Sequence, residues 1–203
     1  MNEEALKLYS EGGIYGSLDY GSPAVNRGLQ FAAFLCQRSD FQKGKKTVHC
    51  LGSGNGYEAV KFLQDGHRCY VTELYHPSVD VLSGHQVKAF GEQLPYKDNQ
   101  FDMYFCCEVL EHIPEENIDA VLSEVKRVSE ECFFTVATRG DPPFNTHICI
   151  HNGQWWMNKF EEHGFSIINA QINPHFWLII IFNGRDTALA VHFPDGVMIN
   201  ARC

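Results

Sequence analysis

Along the chain, short runs of β-branched and aromatic residues alternate with stretches whose apolar side chains recur every third or fourth position. The first kind reads as buried strand and the second as amphipathic helix. Thr47-Val48-His49-Cys50 suits a buried parallel strand. Tyr57 to Leu63 is a good helix former, with Ala59, Val60 and Leu63 on one face. Arg68 to Leu74 returns to strand character. Pro77 to Leu82 predicts a short helix, Gln86 to Phe90 a short third strand, and Met103 to Cys107 a fourth. Pro114-Glu115-Glu116 then opens a helix with proline and acids in its first turn, which suits the helix dipole. Its apolar stripe is Ile118, Val121, Leu122, Val125 and Val128, and Cys132 to Ala137 is a fifth strand. Trp156 and Phe160 fall one helical turn apart and are expected in the core. Phe165 to Gln171 and His175 to Phe182 predict two strands joined by a tight Asn173-Pro174 turn, an antiparallel hairpin closing the sheet. Ala188 to Val191 offers one strand more.

The first 46 residues carry helical signals. Glu3 to Tyr9 forms a short helix stopped by Gly12-Gly13. Ser22 is placed as an N-cap and Pro23 as the first helical residue, before an apolar stripe of Val25, Leu29, Ala32 and Leu35. Alternation of strand and helix predicts an α/β architecture with a mostly parallel sheet. The 203 residues suit one domain with a substantial core. Within it, residues 1–46 are a helical cap, 47–137 a core, and 138–203 a substrate-side loop, helix and closing strands. The cap either lies over a ligand pocket or covers one sheet edge; the sequence leaves both open.

Between the first strand and its helix lies Leu51-Gly52-Ser53-Gly54-Asn55-Gly56. Glycines let the backbone approach a ligand and take dihedrals closed to other residues, and a helix start offers unpaired N–H groups. Such a turn is a ligand cradle. A dinucleotide fold asks for G-x-G-x-x-G. Here Tyr57 stands at the third glycine, and the glycines run instead at positions 52, 54 and 56. The next strand ends in Glu73, about 20 residues beyond the turn, where an acid can accept hydrogen bonds from both ribose hydroxyls. Turn and acid together favour a nucleoside over a solvated strand-end charge.

Composition narrows the field without changing it. Hydrophobic residues at 44% and charged residues at 20% are those of a globular protein. A net charge of -9 argues against a nucleic-acid partner, and Lys43-Gly44-Lys45-Lys46 reads as a solvated loop. The acidic start carries no signal peptide, and Phe176 to Phe182 is too short to span a bilayer, so a cytoplasmic protein is expected. The eight cysteines fall mostly in strands and a helix and are expected reduced. No C-x-x-C pair supports a zinc site, and no metal is expected. Oligomeric state is not legible.

Two further stretches carry a family resemblance. Gly91-Glu92-Gln93-Leu94-Pro95-Tyr96 followed by Asp98-Asn99-Gln100-Phe101-Asp102 resembles the A-E-x-L-P-F…D-x-x-F-D segment of many small-molecule S-adenosylmethionine (SAM)-dependent methyltransferases. Glu108-Val109-Leu110-Glu111-His112-Ile113 resembles the V-L-E-H-I signature of the same type 11-like family, and the alternate glycines resemble its first motif. Asn145-Thr146-His147-Ile148 with Gln154-Trp155-Trp156 resembles a T-H-I…W-W stretch of some members. The likeness spans roughly residues 47–137, and more loosely to about 182.

The resemblance implies a Rossmann-like three-layer sandwich, with a mostly parallel seven-stranded sheet, a C-terminal antiparallel hairpin and N-terminal helices. It implies SAM as cofactor and methyl transfer to a small-molecule or sugar-like acceptor, with a hydroxyl oxygen as the expected target. Gly52, Ser53, Gly54, Asn55 and Gly56 would admit the methionine end of SAM. Glu73 would hold the ribose and Leu74 cover one adenine face. Gly91 and Glu92 would lie beside the adenine edge, and Cys107 and Glu108 near the sulfonium. His112 and His147, on loops at the functional edge, are the candidate bases. Two departures stand out. Cys50 replaces the usual acid two residues before the first glycine, and Phe90 replaces an acid that reads the adenine amino group. They motivate an alternative, a catalytically inactive SAM-fold binding or regulatory protein. The absence of an N-P-P-Y motif after the fourth strand disfavours methylation of DNA adenine or glutamine amides.

Overall fold

A computed structural model describes residues 27–74, 84–129, 131–140, 146–173, 178–183, 190–192 and 198–200. The expected helices at Glu3–Tyr9 and Pro77–Leu82 and the Asn173-Pro174 turn as a whole lie outside the described residues, as do Val25, Asn145 and the start of the Ala188–Val191 strand.

Among the described residues the first elements are helices α1 (Arg27–Leu35) and α2 (Ser39–Lys43). Strand β1 (Thr47–Leu51) leads through the glycine turn into α3 (Tyr57–Gln64), then β2 (Arg68–Thr72) and the two-residue β3 (Gln86–Val87). Strand β4 (Met103–Cys107), a 3-10 turn at Leu110–His112, α4 (Glu115–Val128) and β5 (Cys132–Ala137) follow. Helix α5 (Gly153–Glu162) precedes β6 (Ile167–Asn173), β7 (Leu178–Asn183), β8 (Ala190–His192) and β9 (Met198–Asn200).

The sheet runs β3-β2-β1-β4-β5-β7-β6. Its first five strands are parallel, whereas β7 pairs antiparallel with β5 and β6 with β7. Strands β8 and β9 pair separately. From β1 the chain steps outward to β2 and β3, then returns to lay β4 on the other side of β1. The crevice between the carboxyl ends of β1 and β4 is therefore the switch point where open α/β sheets bind ligands.

Alternation along the strands builds two cores. Val48, Cys50, Met103, Phe105 and Phe133 face α1 and α3, meeting Phe31, Leu35, Ala59 and Phe62. Leu51, Tyr104, Cys106, Phe134 and Val136 face the other way, onto α4 and α5 through Ile118, Val121, Leu122, Val125, Trp156 and Phe160. The α4 stripe is buried as its periodicity predicts, and Trp156 and Phe160 lie in the core. Helix α3 departs from expectation: it buries Glu58, Ala59 and Phe62, leaving Val60 and Leu63 half-buried. The glycine turn sets the helix's rotation, and the local apolar count cannot see that. Helix α1 buries Phe31 beside Ala32 and Leu35, with Leu29 only half-buried. Strand β3 ends at Val87, and Phe90 is 42% exposed. Phe165 is buried against α5 before β6 begins. All seven described cysteines are unbonded; six are buried and Cys107 is half-buried.

Candidate functional site

Three loops meet at the β1/β4 crevice. In the first, Gly52, Gly54 and Gly56 all have left-handed φ, at 62°, 50° and 75°. Only glycine takes such a succession without strain. At Gly52 space forbids a side chain as well, because a Cβ there would lie 2.6 Å from Cγ2 of Val109. The turn thus packs directly on the loop after β4. Gly52 N–H donates to the Thr72 carbonyl and Gly56 N–H to that of Ser53. Gly56 ends the turn as N-cap of α3 without a side-chain cap.

The second loop begins with Glu73. Its Oε2 accepts from Gly54 N–H at 2.9 Å and its Oε1 from Leu74 N–H at 2.7 Å. The strand-end acid is therefore bound into the turn. Beyond β3, Gly91 is buried where a Cβ would meet Leu51 and Val121, and Glu92 accepts from the Asn117 side chain of α4 at 2.7 Å. The stretch after it is clamped onto the same helix. Arg127 donates to the carbonyls of Leu94 and Tyr96, and Glu124 accepts from Leu94 N–H.

The third loop follows β4. Glu108 sits at φ 59°, left-handed for a residue with a side chain, a conformation that clusters at functional sites. Its carboxylate accepts from Arg27 at 2.6 Å and from the Thr135 hydroxyl at 3.1 Å. Burial raises its pKa, and Arg27 and then Thr135 oppose the rise. Cys107 Sγ also lies 3.1 Å from the Thr135 hydroxyl, whose one proton is shared between the thiol sulfur and Glu108. Glu111 of the 3-10 turn is fully buried, and its Oε1 accepts from Ala137 N–H at the end of β5. Burial, with the Glu108 charge adding, pushes its carboxyl well up.

His112 and His147 come together although far apart in sequence, with ring centroids 4.8 Å apart and edge-on. His112 Nδ1 donates to the Thr146 carbonyl at 3.0 Å and His147 Nδ1 to the Arg139 carbonyl at 2.8 Å. A carbonyl oxygen only accepts, so each neutral ring carries its proton on Nδ1 and its lone pair on Nε2.

Cys50 faces away from this edge. It is buried on the α1–α3 side with its sulfur 3.6 Å from that of Cys69, and burial pushes its thiol well up. Glu58, on the first turn of α3, was missed in the sequence. It is buried, accepts from the Ser53 hydroxyl, and adds charge beside Cys50. Burial pushes its carboxyl up to about 7. Its position two residues past the last glycine was the available signal. Glu111 was noted only as part of a motif.

The turn fits an adenosyl sulfonium. It is bare of side chains where Val109 closes over it, an acid is bound into it, and further carboxylates stand at the end of β4. Gly52 to Gly56, Glu73 and Glu108 are the residues that could hold the cofactor.

Residues 49–131 match the family described as "Methyltransferase domain". No curated protein matches the chain. Among solved structures, magnesium protoporphyrin IX methyltransferase from Synechocystis PCC 6803 with bound SAH (S-adenosylhomocysteine) is similar at 17% identity and a TM-score of 0.68, over 91% of this chain and 100% of that one. The 1,6-didemethyltoxoflavin-N1-methyltransferase of Burkholderia thailandensis, with 1,6-didemethyltoxoflavin and S-adenosylhomocysteine bound, is similar at 14% identity and a TM-score of 0.62, over 79% of each chain. The [4+2]-cyclase SpnF is similar at 19% identity and a TM-score of 0.58, over 70% of this chain and 58% of that one. At these identities the likeness is one of fold.

Proposed function

We propose that the chain is a SAM-dependent methyltransferase of the type 11-like class, a reading supported by the methyltransferase-domain match over residues 49–131, and that it methylates a hydroxyl oxygen of a small-molecule or sugar-like acceptor. The observation that carries the cofactor half is Glu73 bound to Gly54 N–H within a turn of left-handed glycines. SAM, when bound, supplies an electrophilic methyl group and leaves as SAH. The chain's own residues hold and orient. Gly52 to Gly56 admit the methionine end, Glu73 the ribose, Leu74 one adenine face, and Gly91 and Glu92 the adenine edge. Cys107 and Glu108 set a soft and an anionic atom near the sulfonium. At the acceptor, the Nε2 lone pair of His112 or His147 takes the hydroxyl proton as the oxygen bonds to carbon. Fixing both partners in near-attack geometry supplies much of the rate.

Calorimetry tests the cofactor half, with SAH binding one per chain and weakened at least about tenfold by Glu73→Ala. Transfer of labelled methyl from SAM to a metabolite extract tests the reaction. No binding at millimolar SAH would sink the proposal. A second reading, a SAM-fold protein without methyl transfer, is favoured by Cys50 and Phe90. It predicts SAH binding with no labelled product.

A further inference from the structure

The 3-10 turn after β4 and the loop after β5 gather a set of metal-ligating groups. One carboxylate oxygen of Glu111 and one ring nitrogen from each of His112 and His147 lie within 4.8 Å of one another. Glu111 Oε1 accepts from Ala137 N–H, while its buried Oε2 has no hydrogen-bond partner among the described residues. A buried carboxylate oxygen without a partner is costly, and a bound cation would supply one. Both imidazoles are oriented by Nδ1–H donation to a backbone carbonyl. Such outer hydrogen bonds fix the tautomer and aim of ligating histidines, and with the proton on Nδ1 it is Nε2 that can ligate.

We propose that Glu111, His112 and His147 bind a divalent transition-metal ion at the acceptor end of the crevice. Two imidazoles and one carboxylate suit zinc, manganese, cobalt or ferrous iron, and leave coordination positions for water or a substrate oxygen. Ligand atoms around such an ion sit on the order of 3–3.5 Å apart, given bonds of about 2.1 Å, so the set, now within 4.8 Å, draws together by roughly 1–2 Å on binding. The set stands beside Glu108, the acid at the end of β4. A second cluster, Glu115, Cys149 and His151, is less suited. There His151 Nε2 is engaged by Glu115 at 2.8 Å, and its ring stacks on Trp155 at 3.7 Å. The role of the ion rests on the methyl-transfer reading: it holds the acceptor oxygen and favours its deprotonated form. With the ion bound, the Nε2 lone pairs of His112 and His147 are taken up by the metal and cannot also serve as the base given above, so the acceptor's proton leaves to solvent. Binding of the ion does not rest on that reading.

The test is titration of the chelator-treated full chain with manganese, cobalt and zinc ions by calorimetry, with the visible spectrum of bound cobalt reporting nitrogen ligands. One ion per chain is expected. Affinity should fall at least about tenfold in His112→Ala, His147→Ala and Glu111→Gln, and stay unchanged in His151→Ala. His147 lies on a loop, so His147→Ala serves where Glu111→Gln does not fold. Absence of binding by all three ions, or binding that survives both His112→Ala and His147→Ala, overturns the proposal. SAH titration of the same sample separates the two readings. Lost SAH binding with the ion retained strikes methyl transfer alone, and the reverse strikes the metal site alone.

Discussion

Gly52 is the residue where backbone and packing demands coincide. Its φ of 62° and the 2.6 Å approach of Val109 Cγ2 to any Cβ act independently. Gly52→Ala should cost about 1–2 kcal/mol from the left-handed backbone alone, and more from the clash. Adding Val109→Ala should recover only the steric share, measured by denaturant unfolding, while SAH affinity stays reduced. His49 supplies a prediction in pH. It is buried among Tyr96, Phe101 and Tyr104, bonded to Thr72 through Nε2, and burial lowers its pKa from 6.5 to about 3. Below pH 6.5 the unfolded chain takes up a proton that the folded ring refuses. This residue's contribution is therefore complete above that pH and lost as pH falls toward 3, by at most about 1.4 kcal/mol per unit. Glu58 slopes the opposite way between pH 4.5 and about 7, so the informative quantity is the difference between His49→Phe and the parent. That difference should shrink with acidity, and a pH-independent difference would count against a neutral buried ring. Glycine spacing and the Glu73 position were legible in the sequence because both are local. Glu58 and Glu111 were not, because what makes them notable is burial, and burial is decided by chain far away.

Among the elements, α4 was fully legible, since its apolar stripe faces one continuous sheet. The rotation of α3 and the shortness of β3 were not. The first is set by a turn, the second by where β2 ceases to offer a partner. Helix α4 also does more than cover the sheet. Through Arg127 and Glu124 it grips the segment from Leu94 to Asp98, which in turn fixes Gly91 and Glu92. Arg127→Ala should cost about 1–2 kcal/mol, with amide exchange rising mainly across residues 92–98. Arg127→Lys should not restore protection, because an ammonium lacks the planar fork that spans two carbonyls and two carboxylates. On the next helix, Trp156 is wholly buried, and Trp156→Ala should cost about 3–5 kcal/mol in unfolding free energy.

At the scale of the whole molecule, strand–helix alternation forecast the parallel part of the sheet. The crevice could not be located until β4 was seen beside β1. Residues 52, 73, 108 with 112, and 147 belong to four separate loops, and only the reversal of strand order assembles them. Ligand and fold should therefore be linked. SAH at about 100 times its dissociation constant should stabilise the protein by about 2.7 kcal/mol, read as a rise in melting temperature of roughly 5–10 °C. The rise should vanish in Gly52→Ala.

The ion pair between Arg27 and Glu108 bears on how reactant is told from product. On the proposed placement of the sulfonium beside Glu108, a guanidinium resting on that acid would cancel a charge that otherwise favours the positively charged sulfonium over the neutral thioether left behind. Arg27→Ala should therefore raise affinity for SAM more than for SAH, and the gap should narrow with added salt. Helix α1, which carries Arg27, would then govern how readily spent cofactor gives way to fresh.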